Sequence, residues 1–283
     1  MTTGTLQPIE AAEPTATITQ PDPGHVPNKP RRSFETAAKL KPKEHGAYAI
    51  LGIPIVTSLL IAGATVVGVC VAAASIAGFM AHEPLVVALG HRGSRAQRTT
   101  PAARKRTLLL VGMMIFCGST AMALGTNDVR LSLVACLLMA VVSFIIAIAG
   151  CHRTAVGQLW GVVGLSVPCV PILLAGPTSP ALAIQLWAMW LIGFTSTTMA
   201  VRSVIAAQKR SPRVTHWIAI LALVALAGSI VFAGHSIAIV TAPMLAMSLL
   251  LLIFPPPAKQ LKRVGWTLVV GTAASAAWMI TIT

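Results

Sequence analysis

From Gly46 to Thr283 the chain is a succession of long apolar runs, separated by short loops rich in lysine and arginine. That pattern leaves few folds open. Hydrocarbon offers backbone groups no water, so a crossing segment must satisfy its own hydrogen bonds, as a helix does. The runs are roughly 17–22 residues long, which suits helices across a ~30 Å core and not the ~10-residue alternating segments of an outer-membrane barrel. The expected fold is therefore all-α, a polytopic membrane helical bundle. Composition agrees, since 10% of residues are charged and 55% hydrophobic, whereas about a quarter of a soluble domain is charged.

Nine spans are expected: Gly46–Ala62 with Pro54 inside it, Thr65–Ala81, Thr107–Leu124, Leu131–Ala149, Leu159–Ala175 interrupted by Pro168 and Pro171, a sixth from the turn at Gly176–Pro180 to Val201, then Val214–Ala233, Ser236–Phe254 and Gly265–Thr283. Only Gly63 and its small neighbours divide the first two, but one helix through both would overrun a ~30 Å core. Gly125-Thr126-Asn127-Asp128 reads as a turn. Spans 1–4 and 5–8 read as a weak parallel repeat: Glu44 stands ten residues before Pro54, and Gln158 ten before Pro168.

Charge orients these spans. With the amino end in the cytoplasm and the carboxyl end outside, the inner segments hold six Lys/Arg in the tail, six in Arg92–Arg106, Arg153, four in Arg202–Arg213 and three in Lys259–Arg263, leaving only Arg130 outside. This is the positive-inside asymmetry. Merging two spans would scramble it.

Two domains follow. Residues 1–40 form a Pro/Thr-rich cytoplasmic tail, expected to be disordered because it cannot bury enough apolar surface to offset ordering entropy. It lacks the layout of a signal peptide and is expected to stay on the mature protein. Residues 41–283 form the nine-span membrane domain. The formal charge of +14 would suggest nucleic acid in a soluble protein, but here it sits between spans and reads as topology, with anionic lipids at the cytoplasmic face as partners. No nucleic acid is expected. The five cysteines are odd in number and never spaced as CxxC, so they read as small core residues. The histidines form no pair at helical spacing, and neither metal, haem nor another cofactor is expected.

The membrane domain has just three acids, Glu44, Glu83 and Asp128. Asp128 reads as part of a solvated turn beside Arg130. Glu44 and Glu83 each stand where a span meets the cytoplasm with a histidine neighbour, as Glu44-His45 and His82-Glu83. An ionisable residue at membrane depth is a functional candidate; the plainer alternative is that Glu83 pairs with Arg92 or Arg95 to brace a loop. Arg92 and Arg95 lie among glycines and suit a phosphate or carboxylate ligand. Lys43, Arg153 and Arg202 occupy other cytoplasmic edges, so closure of the bundle would gather them, with Gln158, into one electropositive vestibule. Trp160, Trp217 and Trp266 open spans at that face as interfacial anchors. Gly157-x-x-x-Gly161 reads as a close helix contact, and Thr195–Thr198 as hydroxyls bonded back to their own helix.

Lys41-Pro42-Lys43-Glu44-His45-Gly46-Ala47-Tyr48-Ala49 resembles the opening signature of the YwiC-like membrane proteins. His82-Glu83-Pro84-Leu85 with Leu89-Gly90 and Arg92-Gly93-Ser94-Arg95 resembles their second, and Val201-Arg202 a weaker third. The resemblance covers the chain from about residue 40. It implies a multi-pass protein of the bacterial inner membrane and assigns no molecular role. An acid often stands in that family where this chain has Gln158, a departure that weakens any mechanism needing a second carboxylate there. The nine-span layout is also similar to UbiA-type prenyltransferases, but their Asp-rich magnesium sites are absent here: Glu83 stands at the first position, and only Arg202, Lys209, Arg210 and Arg213 at the second.

The reading these residues favour is a protein that binds or moves a small anion or anionic lipid headgroup at a basic cytoplasmic vestibule. A UbiA-like enzyme on a lipid-linked prenyl substrate, and a membrane subunit or assembly factor, remain as alternatives.

Overall fold

A computed structural model describes residues 45–88, 101–150, 154–257 and 260–283. Among these the chain is all helical: α1 His45–Ala62, α2 Val66–Ala88, α3 Pro101–Leu124, α4 Asn127–Ile148, α5 Ala155–Ser166, α6 Cys169–Leu174, α7 Pro180–Gln208, α8 Val214–Phe232, a 3-10 segment Ser236–Thr241, α9 Ala242–Ile253 and α10 Leu261–Ile282. Two pairs, α5 with α6 and the 3-10 segment with α9, each form one interrupted rod. Among the described residues, eight segments are long and apolar enough to cross a membrane, and the apolar helix Gly46–Ala62 is shorter.

Local chemistry explains the breaks. Gly63 turns the chain at φ +78° between α1 and α2, a conformation glycine adopts without a Cβ penalty. The Thr65 hydroxyl then accepts from Gly68 N at 3.0 Å, opening α2 as an N-cap. Pro168 lacks the N–H that would carry α5 onward, so a tight Val170 N to Val167 O bond of 3.0 Å bridges to α6. Pro243 lies in the first turn of α9, where its missing donor costs least; the residues before it adopt the 3-10 form.

The 125–128 turn is capped from both sides. Thr126 accepts from Val129 N, and Asp128 lies in the first turn of α4. Arg130 folds back, Nε to Met122 O at 2.9 Å and Nη2 to Ala123 O at 3.2 Å, onto the carbonyl end of α3. A cation there also complements the helix dipole.

Two helices run past their expected ends. The segment His82-Glu83-Pro84 does not break α2, which continues to Ala88. Pro84 is itself buried, and Val87 beyond it packs on Ala103 of α3, so tertiary contact holds the final turn. Helix α7 continues past Val201 to Gln208; its 29 residues make about 43 Å at 1.5 Å per residue. Arg202 therefore sits on a continuous helix, not at its end.

The core centres on α6 and α7. Cys169 through Leu173 are all buried, and α6 packs on α1, α2, α4 and α7. On α7, Trp190 and Phe194 stack with ring centroids 5.4 Å apart amid buried residues of α5, α8, α9 and α10. Gly193 lets α9 approach closely at Met244. Gly161, by contrast, faces open space, and the close contact on α5 is made by Gly164 against Ser143 of α4. Helices α1 and α10 meet. Outward faces carry Phe116, Leu137, Leu138, Val141, Ile145, Ile218 and Leu221, apolar surface that matches lipid rather than water.

Candidate functional site

Five of the ten candidate residues, Lys43, Glu44, Arg92, Arg95 and Arg153, lie outside the described residues. His45 opens α1, and its side chain lies outside the description as well. His82, Glu83, Gln158 and Arg202 can be placed, and all four fall toward one end of the bundle.

A chain of side-chain contacts identifies that end. His82, late in α2, meets Phe144, late in α4, edge to face with centroids 6.3 Å apart. The neighbouring Ser143 accepts from Trp160 Nε1 of α5 at 3.0 Å. Half a turn before Trp160, Gln158 Oε1 accepts from Arg202 Nη1 of α7 at 2.8 Å. Antiparallel neighbours thus bring the late residues of α2, α4 and α7 to the early residues of α5. Glu83, half-buried beside His82, belongs to the same level.

The layer continues into groups that the sequence did not single out as a site. Arg213, the residue before α8, donates Nε to Ser203 Oγ at 2.9 Å and Nη2 to the carbonyl of Leu252 at the end of α9. His216, on the first turn of α8, lies in the electrostatic field of both Arg202 and Arg213. Arg213 was visible in sequence only as one more loop cation. Its spacing to Ser203 and Leu252 crosses three helices, and no local pattern reveals it.

The two arginines differ in kind. Arg213 is committed to a buried hydroxyl and a helix-end carbonyl, because Ser203 and Leu252 are both fully buried. Arg202 is half-buried beside an exposed Gln158, and its planar guanidinium has five donors. A glutamine orients this cation without neutralising it. A carboxylate at 158 would do both. The arrangement therefore presents net positive charge held in a fixed direction, which suits a carboxylate or phosphate oxygen. Deeper in, Ser196 and Thr197 donate back to Gly193 O and Phe194 O, and Ser196 also pairs with Ser248 at 3.1 Å. These hydroxyls stitch α7 to α9.

Neither the curated proteins nor the solved structures include a match to this chain. The family comparison does give one. It spans residues 42–172, so it takes in α1 to most of α6, nearly all of the first motif, the whole of the second and Gln158, and stops short of Arg202. Over that stretch the chain matches the family described as YwiC-like protein, the one its two motifs resemble, and the long apolar helices of the described residues are those of a multi-pass membrane protein.

Proposed function

We propose that the protein binds a small anion, free or as an anionic lipid headgroup, at the polar end of the bundle that carries Gln158 and Arg202. In this reading the amino end and that polar layer face the cytoplasm of a bacterial inner membrane, and the carboxyl end faces out. Lys43, Arg92, Arg95 and Arg153 add to the attraction of Arg202, while Glu44 and Glu83, each beside a histidine, orient the cations or take up a proton. The observation that carries the proposal is the 2.8 Å bond from Arg202 to a neutral partner, Gln158.

Charge at position 158 tests it. Gln158→Glu keeps the geometry and the hydrogen bond but adds a negative charge to the cation. Two unit charges ~4 Å apart at an effective dielectric of 20 interact by about 4 kcal/mol; solvent at this exposed pair cuts that severalfold. Titration of inorganic phosphate into protein held in zwitterionic-lipid nanodiscs is expected to show binding weakened about tenfold, or 1.4 kcal/mol. Arg202→Gln is expected to abolish it. Wild-type binding should weaken with added potassium chloride as screening grows. A matched series in anionic-lipid nanodiscs separates the two sources, since a headgroup ligand would already occupy the site and block phosphate. Equal phosphate affinity in wild type and both variants overturns the proposal.

A further inference from the structure

Between α1 and α10 the lipid-facing surface opens into a groove of about 460 Å³, walled by Tyr48, Gly52, Ile53, Val56, Thr57 and Leu60 on one side. Ala273, Ala276, Ala277 and Ile280 form the other wall. The hollow comes from short side chains: a Cβ on Gly52 would meet nothing within 4 Å, and three alanines face it. Thr57 contributes no free hydroxyl, because it donates to Ile53 O at 2.8 Å. The remaining polar group is the phenol of Tyr48, at one extremity.

We propose that this groove holds one acyl chain of a membrane phospholipid, with the polar end of that lipid at Tyr48. Four features select that occupant. The groove opens on helices that lie in hydrocarbon, where the available apolar ligand is a lipid chain. Its wall on α1 runs about 18 Å from Tyr48 to Leu60 and its wall on α10 about 10 Å from Ala273 to Ile280, at 1.5 Å per residue, so a chain laid along α1 reaches about the depth of one leaflet of a ~30 Å core. Its volume falls within the ~300–1,000 Å³ of small-molecule sites. Its mouth lies toward the polar layer: the Tyr48 ring stacks edge-on against Phe79 at 5.1 Å, and its hydroxyl approaches Met80 Sδ at 3.9 Å, within a turn of His82 and Glu83. A tyrosine at that level has a wet tip and an apolar body, as interfacial anchors do. This inference stands apart from the anion site, since it needs neither Gln158 nor Arg202.

Filling the groove tests it. The full-length protein, extracted in mild detergent, is examined by native mass spectrometry for a retained lipid. Wild type is expected to carry one phospholipid. Gly52→Leu and Ala277→Leu, which fill the hollow from opposite walls, are each expected to lose it at least fivefold. The control is Gly118→Leu on α3, where a Cβ also meets nothing within 4 Å; it is expected to keep the lipid. If either filled variant fails to fold, as judged by its unfolding midpoint, the other decides alone. Retention in a folded, filled variant overturns the proposal, and so does equal loss in the control. An adduct with the mass of a polyprenyl lipid, or none in the wild type, overturns it as well.

Discussion

Gly176→Ala is expected to destabilise the bundle by more than about 3 kcal/mol, the upper end of ordinary overpacking costs. A Cβ at Gly176 would stand 2.7 Å from Ala62 Cβ and 2.8 Å from Ala62 Cα, and would also collide with the Ala62 carbonyl oxygen. These atoms cannot swing aside. Ala62 ends α1 immediately before the Gly63 turn at φ +78°, so relief would require shifting α1 against the α6–α7 connection. Gly193→Ala is the informative comparison. Its Cβ would meet the Met244 thioether, with Cε at 2.9 Å, and a methionine has three rotatable bonds with which to yield. That variant is expected to cost about 1–2 kcal/mol. Unfolding in mixed micelles, followed by the fluorescence of the six tryptophans, measures both. Equal costs would mean that the α1–α6 approach is softer than its backbone contacts indicate.

These two glycines show where sequence reading reaches its limit. Span existence was legible because hydrophobic length is a one-dimensional property, and turns such as Gly63 and Gly125–Asp128 carry their own local chemistry. The interruption at Pro168 was legible for the same reason: a missing N–H acts on its own helix. The expected end of the second span at Ala81 fell short, since α2 runs through Pro84 to Ala88, where Val87 packs on Ala103. Gly161 has the spacing of a contact motif with Gly157, yet it faces open space, while tight approaches occur at Gly164, Gly176 and Gly193. Which glycine meets a neighbour depends on helix rotation, and low amphipathicity leaves rotation unspecified when every face is apolar. The polar layer was half legible. Edge position nominated Gln158 and Arg202 separately; their bond, and the role of Arg213, needed the packing of α5, α7, α8 and α9.

Arg213→Met is expected to cost about 2–4 kcal/mol of stability while leaving the approach to Arg202 open. Its guanidinium joins three elements: Nε bonds Ser203 of α7, Nη2 bonds the Leu252 carbonyl of α9, and the residue itself precedes α8. Hydrogen bonds to a charged donor contribute about 1.5–3 kcal/mol each, and losing the donor leaves two buried acceptors without it. The Leu252 carbonyl is also one of the orphan acceptors at a helix C-terminus, where a cation is favoured. Arg213→Lys is expected to recover less than half of the loss, because an ammonium is a point charge without the fork that reaches Ser203 and Leu252 together. Arg202→Gln should behave oppositely. Its bond to Gln158 is exposed, so its removal is expected to cost under about 1 kcal/mol of stability while phosphate binding is lost. Measuring unfolding and phosphate titration on the same three variants separates an arginine that holds helices together from one that receives a ligand. Full rescue by lysine, or unchanged stability in Arg213→Met, would show that α7, α8 and α9 are held by their apolar contacts alone.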